Sequence, residues 1–248
     1  MNRKAFIRTT SLVTLGLPVL VNFELEKLMT SSSVEINQLL GLDTSHLKTA
    51  PLRLEEETAT AFLEIRTAAN KAGIDLKIVS GYRSFEHQKQ IWERKYKALS
   101  KTRSPAKAIS DIITYSSIPG TSRHHWGTDI DLIDGNVKLP EGDLLSEKNY
   151  HGAGAFSKLK SWMDAYAGDF GFILVYTKNQ NRTGFNYEPW HYSYAPKSKI
   201  YFQLQQTKLY QEAWGQLEFD GKSELTAAFM TSYFKNYNEG INPQLINH

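Results

Sequence analysis

The sequence predicts an α+β fold in which a small antiparallel sheet is flanked by helices. Three observations carry this reading. Apolar residues recur at helical spacing over about 55–72, 84–99 and 156–166. Short runs of alternating or continuously apolar character stand at 76–80, 129–134, 170–176 and 191–194. These two kinds of segment follow one another without the strict strand–helix–strand repeat that a parallel sheet requires. A length of 248 residues suffices for one substantial core, and 41% apolar with 12% aromatic residues excludes a disordered chain.

Taken in order, residues 1–23 carry Arg3, Lys4 and Arg8 ahead of the apolar stretch Leu12–Val21, the charged-then-apolar order of an export signal. Arg3-Lys4 resembles a twin-arginine signal with lysine in the second place. The apolar run is too short for an ordinary membrane-spanning helix, so no stable span is expected after signal removal. Residues 24–50 are polar and mixed, and read as a lead-in. Glu55, Glu56 and Glu57 suit the positive N-terminal end of a helix whose apolar face holds Phe62, Ile65 and Ala69, with Gly73 as its stop. Leu76–Ser80 reads as a strand. Ser84 is the expected N-cap of the next helix, which runs to about Leu99.

Residues 101–121 read as loop, with Pro119-Gly120 as a turn. Asp129-Ile130-Asp131-Leu132-Ile133-Asp134 alternates with period two and turns at Asp134-Gly135. Phe156, Leu159, Met163 and Tyr166 mark a further helix, Phe170–Tyr176 a buried strand, and His191–Tyr194 another alternating strand. Residues 201–248 are helical in pattern, rich in aromatics and without a chemical motif: an extension.

A formal charge of +3, with basic residues dispersed among acids, gives no nucleic-acid footprint. There is no cysteine, so a metal site must use His, Asp or Glu. No Gly-x-Ser-x-Gly elbow of a serine hydrolase occurs.

The chemistry concentrates in Ser122-Arg123-His124-His125-Trp126-Gly127-Thr128-Asp129-Ile130-Asp131 and Glu188-Pro189-Trp190-His191. Histidines, a carboxylate and a further glutamate are what a hydrolytic zinc site needs: three N/O ligands, an open position for water, and a separate proton acceptor. The spacings are odd, seven for His124 and Asp131 and three for Glu188 and His191. Regular strands would put each pair on opposite faces. Bends at Gly127 and Pro189 would resolve this. Asp129 and Asp131 share a face, so pattern alone leaves both open as ligands. His124 and His125 face apart, so one of them binds. Trp126 and Trp190 are read as packing residues.

Ser122-x-His124-x₂-Gly127-x₃-Asp131, followed by Glu188-Pro189-Trp190-His191 and preceded by Ser80-Gly81-Tyr82-Arg83-Ser84 with Gln88, resembles the VanY-type zinc D-alanyl-D-alanine carboxypeptidases. The resemblance covers about residues 50–200, which makes 51–200 the zinc peptidase domain. It implies one Zn²⁺ per chain held by His124, Asp131 and His191, and Glu188 as general base. Arg83 would stabilise the developing oxyanion, and Ser122 and Gln88 would bind substrate. Where the family usually has a small residue this sequence has Asp129; the resemblance nevertheless assigns the metal to Asp131. The implied partners are peptidoglycan stem peptides, and the implied location is the periplasm or cell envelope. The same centre also serves an L,D-carboxypeptidase, an endopeptidase or a D-Ala-D-Ala dipeptidase, because the surrounding loops select the bond. A non-catalytic wall-binding module is the alternative from another class.

Overall fold

The computed structural model describes residues 34–246, and the export-like segment 1–23 lies outside them. Four strands form one antiparallel sheet: β1 (Leu76–Ser80), β2 (Asp129–Asp134), β3 (Phe172–Leu174) and β4 (His191–Tyr194), in the order β1-β2-β4-β3. Helix α1 (Glu56–Lys71) begins at Glu55, whose carboxylate accepts from the Thr58 amide. Two more acids, Glu56 and Glu57, occupy its first turn, where the helix end is positive. Helix α4 (Ser157–Tyr166) follows β2.

The period-two alternation sorts β2 and β4 into two faces. Ile130 is opposite Tyr192, and with Leu132, Leu76 and Phe172 these apolar residues pack on Phe62, Ile65, Leu159 and Met163 of α1 and α4. The other face presents Asp129 opposite Ser193 and Asp131 opposite His191. Burying these polar groups is costly unless they are paired, and all but one oxygen of Asp131 find a partner, as described below. At β1 the pairing slips between Ile78 and Ser80, so that Ser80 lies opposite Asp131. This irregularity re-aims the chain from Ser80 to Arg83 toward the polar face.

A second core joins α2 (Phe85–Leu99), α3 (Pro105–Ile113), α5 (Ala195–Gln205), α6 (Lys208–Gly215) and α7 (Ala227–Tyr233). Trp92, Ile109, Ile112, Trp214 and Tyr233 are buried in it. Helix α3 corrects the expectation of loop over 101–121. Ser104 caps it through the Lys107 amide, Pro105 opens it, and Ala108, Ile109, Ile112 and Ile113 form its buried stripe. The expected lead-in 24–50 is also corrected from Ile36 onward, because Ile36, Leu39 and Leu40 are buried in this core. Residue 200 lies inside α5, and the C-terminal helices supply part of the same core. The described residues from Ile36 onward form one compact unit. Among the described residues no helix is long and apolar enough to cross a membrane.

Candidate active site

His124 reaches the site from a 3₁₀ turn, Arg123–Trp126, rather than from β2. Gly127 ends that turn with φ 70°. A Cβ there would stand 2.5 Å from Leu47 Cδ2 and 2.8 Å from the Glu55 amide nitrogen. Only glycine tolerates both the left-handed backbone and this close approach. The turn therefore removes the odd-spacing conflict between His124 and Asp131. The second conflict is resolved in the same way, since Glu188 precedes β4 in a turn closed by the His191 amide on the Glu188 carbonyl, 3.2 Å.

Candidate ligand atoms of His124, Asp131 and His191 all lie within 4.8 Å of one another, and all three residues are buried. His124 Nδ1 donates to the Gly81 carbonyl at 2.8 Å, which leaves Nε2 turned to Asp131 Oδ2 at 3.4 Å. His191 Nε2 donates to Asp129 Oδ2 at 2.9 Å, which leaves Nδ1 turned to Asp131 Oδ1 at 3.7 Å and Glu188 Oε2 at 2.9 Å. Asp131 Oδ1 is buried without a hydrogen-bond partner. An orphaned carboxylate oxygen between two imidazole nitrogens whose other nitrogens are already engaged is a donor set that fits a divalent cation, zinc included.

The electrostatics agree. Burial alone would raise the Asp131 carboxyl, but His124 and His191 hold it below the ordinary aspartate value. Burial alone would make His191 less basic; Asp131, Asp129 and Glu188 outweigh it and push the imidazole up to about 10. Asp129 is 0% exposed, and although burial opposes its ionisation, Arg123 and His191 hold it well below the usual carboxylate range. It takes the contacts of an internal counter-charge and is turned away from the His124–Asp131 gap: Arg123 Nε at 2.8 Å, Ser193 Oγ at 2.6 Å and Thr128 Oγ1 at 2.9 Å.

Arg83, Ser122, His124, Asp131, Glu188 and His191 line one cleft of about 750 Å³. Arg83 Nη1 donates to Gln88 Oε1 at 2.8 Å and Nη2 to Ser80 Oγ at 3.1 Å, so its planar fork is held on two sides. Gln88 is 0% exposed and stands behind the cleft rather than in its wall. Its amide donates to the Ser117 carbonyl at 2.7 Å, which ties α2 to the segment before Ser122. His125 faces away and is fully buried. It donates from Nδ1 to the Arg83 carbonyl at 2.6 Å and accepts at Nε2 from the Gly120 amide at 3.2 Å. Burial pushes its imidazole down to about 3, so it is neutral.

Trp126 is buried under the Arg123 guanidinium, 4.5 Å away, whereas Trp190 lines the cleft and packs on Tyr150. Tyr176 is one of the cleft residues that sequence reading missed. Its ring stands edge-on to His191 with centroids 5.1 Å apart, and burial pushes its hydroxyl well above the ordinary tyrosine value. Lying in an apolar run, it carried no signal beyond a buried strand.

A sheet and an adjoining 3₁₀ turn that bring two histidines and an aspartate into one open cleft, with a glutamate beside them, define a mixed helix-and-sheet protein with a His/Asp site. A family model described as VanY, D-alanyl-D-alanine carboxypeptidase, matches residues 51–197, and the chain belongs to that family. It is 30% identical over 158 residues to a D-alanyl-D-alanine carboxypeptidase of Enterococcus faecalis, covering 61% of this chain and 53% of the relative. It is 33% identical over 145 residues to the putative carboxypeptidase YodJ of Bacillus subtilis, covering 58% and 47%. The chain thus spans about half the length of these curated relatives. Among solved structures it is similar to a mutant of the vancomycin resistance D,D-pentapeptidase VanY in complex with Zn(II), with TM-score 0.47, 23% identity, and 73% and 88% of the two chains covered. For the LdcB LD-carboxypeptidase the values are 0.47, 27%, 79% and 75%.

Proposed function

We propose that the chain is an exported zinc carboxypeptidase that removes the terminal D-alanine from peptidoglycan stem peptides ending in D-Ala-D-Ala. The observation that carries this reading is the convergence of His124 Nε2, Asp131 and His191 Nδ1 beside the Glu188 carboxylate, with Arg83 on the same cleft. His124, Asp131 and His191 would hold the ion, one per chain. Bound there, zinc supplies Lewis acidity, polarising a carbonyl and bringing the pKa of an attacking water toward about 7.

The rest is done by the chain's own groups. The Glu188 carboxylate takes the proton of the attacking water as the new C–O bond forms, then delivers it to the amine nitrogen, and the peptide C–N bond breaks as that amine departs. Burial holds the Arg83 guanidinium below its ordinary value, with Asp131 and Glu188 acting against that effect, and its intrinsic basicity keeps it charged. It presents this charge where the carbonyl oxygen becomes negative. Ser122 lies in the cleft wall and offers a hydroxyl to the substrate backbone. Gln88 has its amide fully engaged inside the protein, so it acts on substrate through Arg83. A cleft of about 750 Å³ accommodates residues upstream of the terminal pair, which supports a stem peptide over a bare dipeptide. The charged-then-apolar start of the chain supports delivery to the envelope, where such peptides occur.

The test is mass spectrometry of a zinc-loaded digest of a synthetic stem pentapeptide ending in D-Ala-D-Ala. Free D-alanine and a tetrapeptide are expected, and chelation should abolish both. Release of the intact dipeptide, cleavage only of a tetrapeptide, or no cleavage would overturn the proposed bond.

A further inference from the structure

Asp129 lies on the polar face of β2, two residues from the proposed ligand Asp131 and opposite Ser193. It is buried, and its two oxygens are shared among defined donors. Oδ2 takes Arg123 Nε at 2.8 Å and His191 Nε2 at 2.9 Å; Oδ1 takes Ser193 Oγ at 2.6 Å, Thr128 Oγ1 at 2.9 Å and Arg123 Nη2 at 3.3 Å. Arg123 Nη2 also donates to Ser193 Oγ at 2.7 Å, and the guanidinium lies over the Trp126 ring, 4.5 Å from its centroid. Neither the carboxylate nor the arginine can turn without leaving a buried charge unpaired.

We infer that Asp129 is a positioning residue for His191: locked by Arg123 and Ser193, it holds the imidazole with the proton on Nε2 and thereby commits Nδ1 to the metal site. An isolated imidazole binds a cation through either nitrogen, and the hydrogen bond made by one decides which lone pair the other offers. Here the carboxylate claims Nε2, and Nδ1 is left facing Asp131 and Glu188. A ring turned over would put a carbon against Asp129 and forfeit this bond. Outer partners of this kind alter metal affinity by about 10–100-fold. Of the two acids on this face, Asp131 meets the ion and Asp129 aims a ligand at it.

This inference rests on the metal reading of the site, and its test separates the two. Zinc affinity is measured by competition with a chromogenic chelator for the wild type, D129N, and the double variant R123M/D129A, which removes both charges together. Metal-free thermal melts report folding. The double variant should melt cooperatively yet bind zinc about 10–100-fold more weakly. D129N, whose amide oxygen can still accept from His191, should fall between it and the wild type. Affinity within twofold of wild type in a folded double variant overturns the inference.

Should the double variant fail to fold, ¹⁵N NMR of histidine-labelled wild type decides, with His191 assigned by comparison with H191Q. Zinc-loaded protein should show Nδ1 metallated and Nε2 protonated; coordination through Nε2 overturns the inference. If the wild type binds no zinc, the metal reading fails. In that case a hydrogen-bonded Nε2 proton on His191 supports the positioning role of Asp129, and its absence overturns that role as well.

Discussion

The Glu188 carboxylate stands 2.9 Å from His191 Nδ1, so in the metal-free chain it touches the very nitrogen that the cation would occupy. A general base needs this proximity to the reacting water, whereas a metal ligand would need an unengaged lone pair of its own. E188Q should therefore lower kcat by about 10²–10⁴, the usual cost of losing a general base, while zinc affinity measured by chelator competition changes little. Full activity in E188Q would remove glutamate from the mechanism. Arg83 acts through a different kind of contact. Its fork is split between Gln88 and Ser80, and Q88A leaves both Nη1 and the Ser117 carbonyl without their partner. A lost hydrogen bond to a charged group is worth about 1.5–3 kcal/mol, so kcat/KM should drop roughly 10-fold or more. Circular dichroism and zinc affinity should stay near wild type. A Q88A enzyme of normal kcat/KM would show that Arg83 needs no support from α2.

The segment from Ser117 to Thr121 is gripped by the C-terminal helices. Trp214 Nε1 donates to the Pro119 carbonyl at 3.0 Å, and the Tyr210 hydroxyl to the Gly120 carbonyl at 2.5 Å. The Ile118 amide donates to the Tyr233 hydroxyl at 3.2 Å, with Thr121 Oγ1 3.0 Å from the same oxygen. Gly120 has φ 83°, and a Cβ there would meet Leu217 at 2.6 Å. Because His125 links Gly120 to the Arg83 carbonyl, this grip extends to the site. Y233F should cost about 1–3 kcal/mol through the partners it strands, and so lower the melting temperature by several degrees in calorimetry. Truncation after residue 200 should give insoluble protein, since Trp92, Ile109 and Ile112 lose the helices that cover them; a soluble, active truncation would refute the grip. Helices α1, α2 and α4 were legible in the sequence because their caps and apolar stripes are local, and β2 and β4 because alternation is local. Helix α3 had equally local signals in Ser104-Pro105 and in Ile109, Ile112 and Ile113, but it is short, and the stretch ends in the Pro119-Gly120 turn, so it read as loop. Ile36, Leu39 and Leu40 are buried in a core assembled from segments far apart along the chain, which no local pattern encodes. At the site, residue types and spacing pointed to His124, Asp131 and His191, which the fold brings together. The aiming role of Asp129 depends on its register with Ser193 and on the turn that carries Arg123, and neither is visible along the chain.

Two buried histidines with opposite shifts contribute opposing limbs to the pH dependence of stability. His125 is neutral in the fold at about 3, below its ordinary value of 6.5. The unfolded chain therefore binds the extra proton between those values, and stability is lost as pH falls from about 6.5 toward 3. His191 is raised from 6.5 to about 10 in the metal-free fold, where Asp131, Asp129 and Glu188 surround it. There the fold binds the extra proton, so this contribution is complete below 6.5 and is lost as pH rises toward 10. Each limb has a slope of at most about 1.4 kcal/mol per pH unit for one proton. Metal-free protein should consequently be most stable near pH 6.5, in thermal melts taken with chelator from pH 4 to 10. Zinc and the proton compete for His191 Nδ1, so cation binding is favoured as pH rises. Saturating zinc should raise the melting temperature more at pH 8.5 than at pH 6, and so flatten the alkaline limb. An alkaline limb equally steep with and without zinc would place the titrating group elsewhere and separate His191 from the metal site.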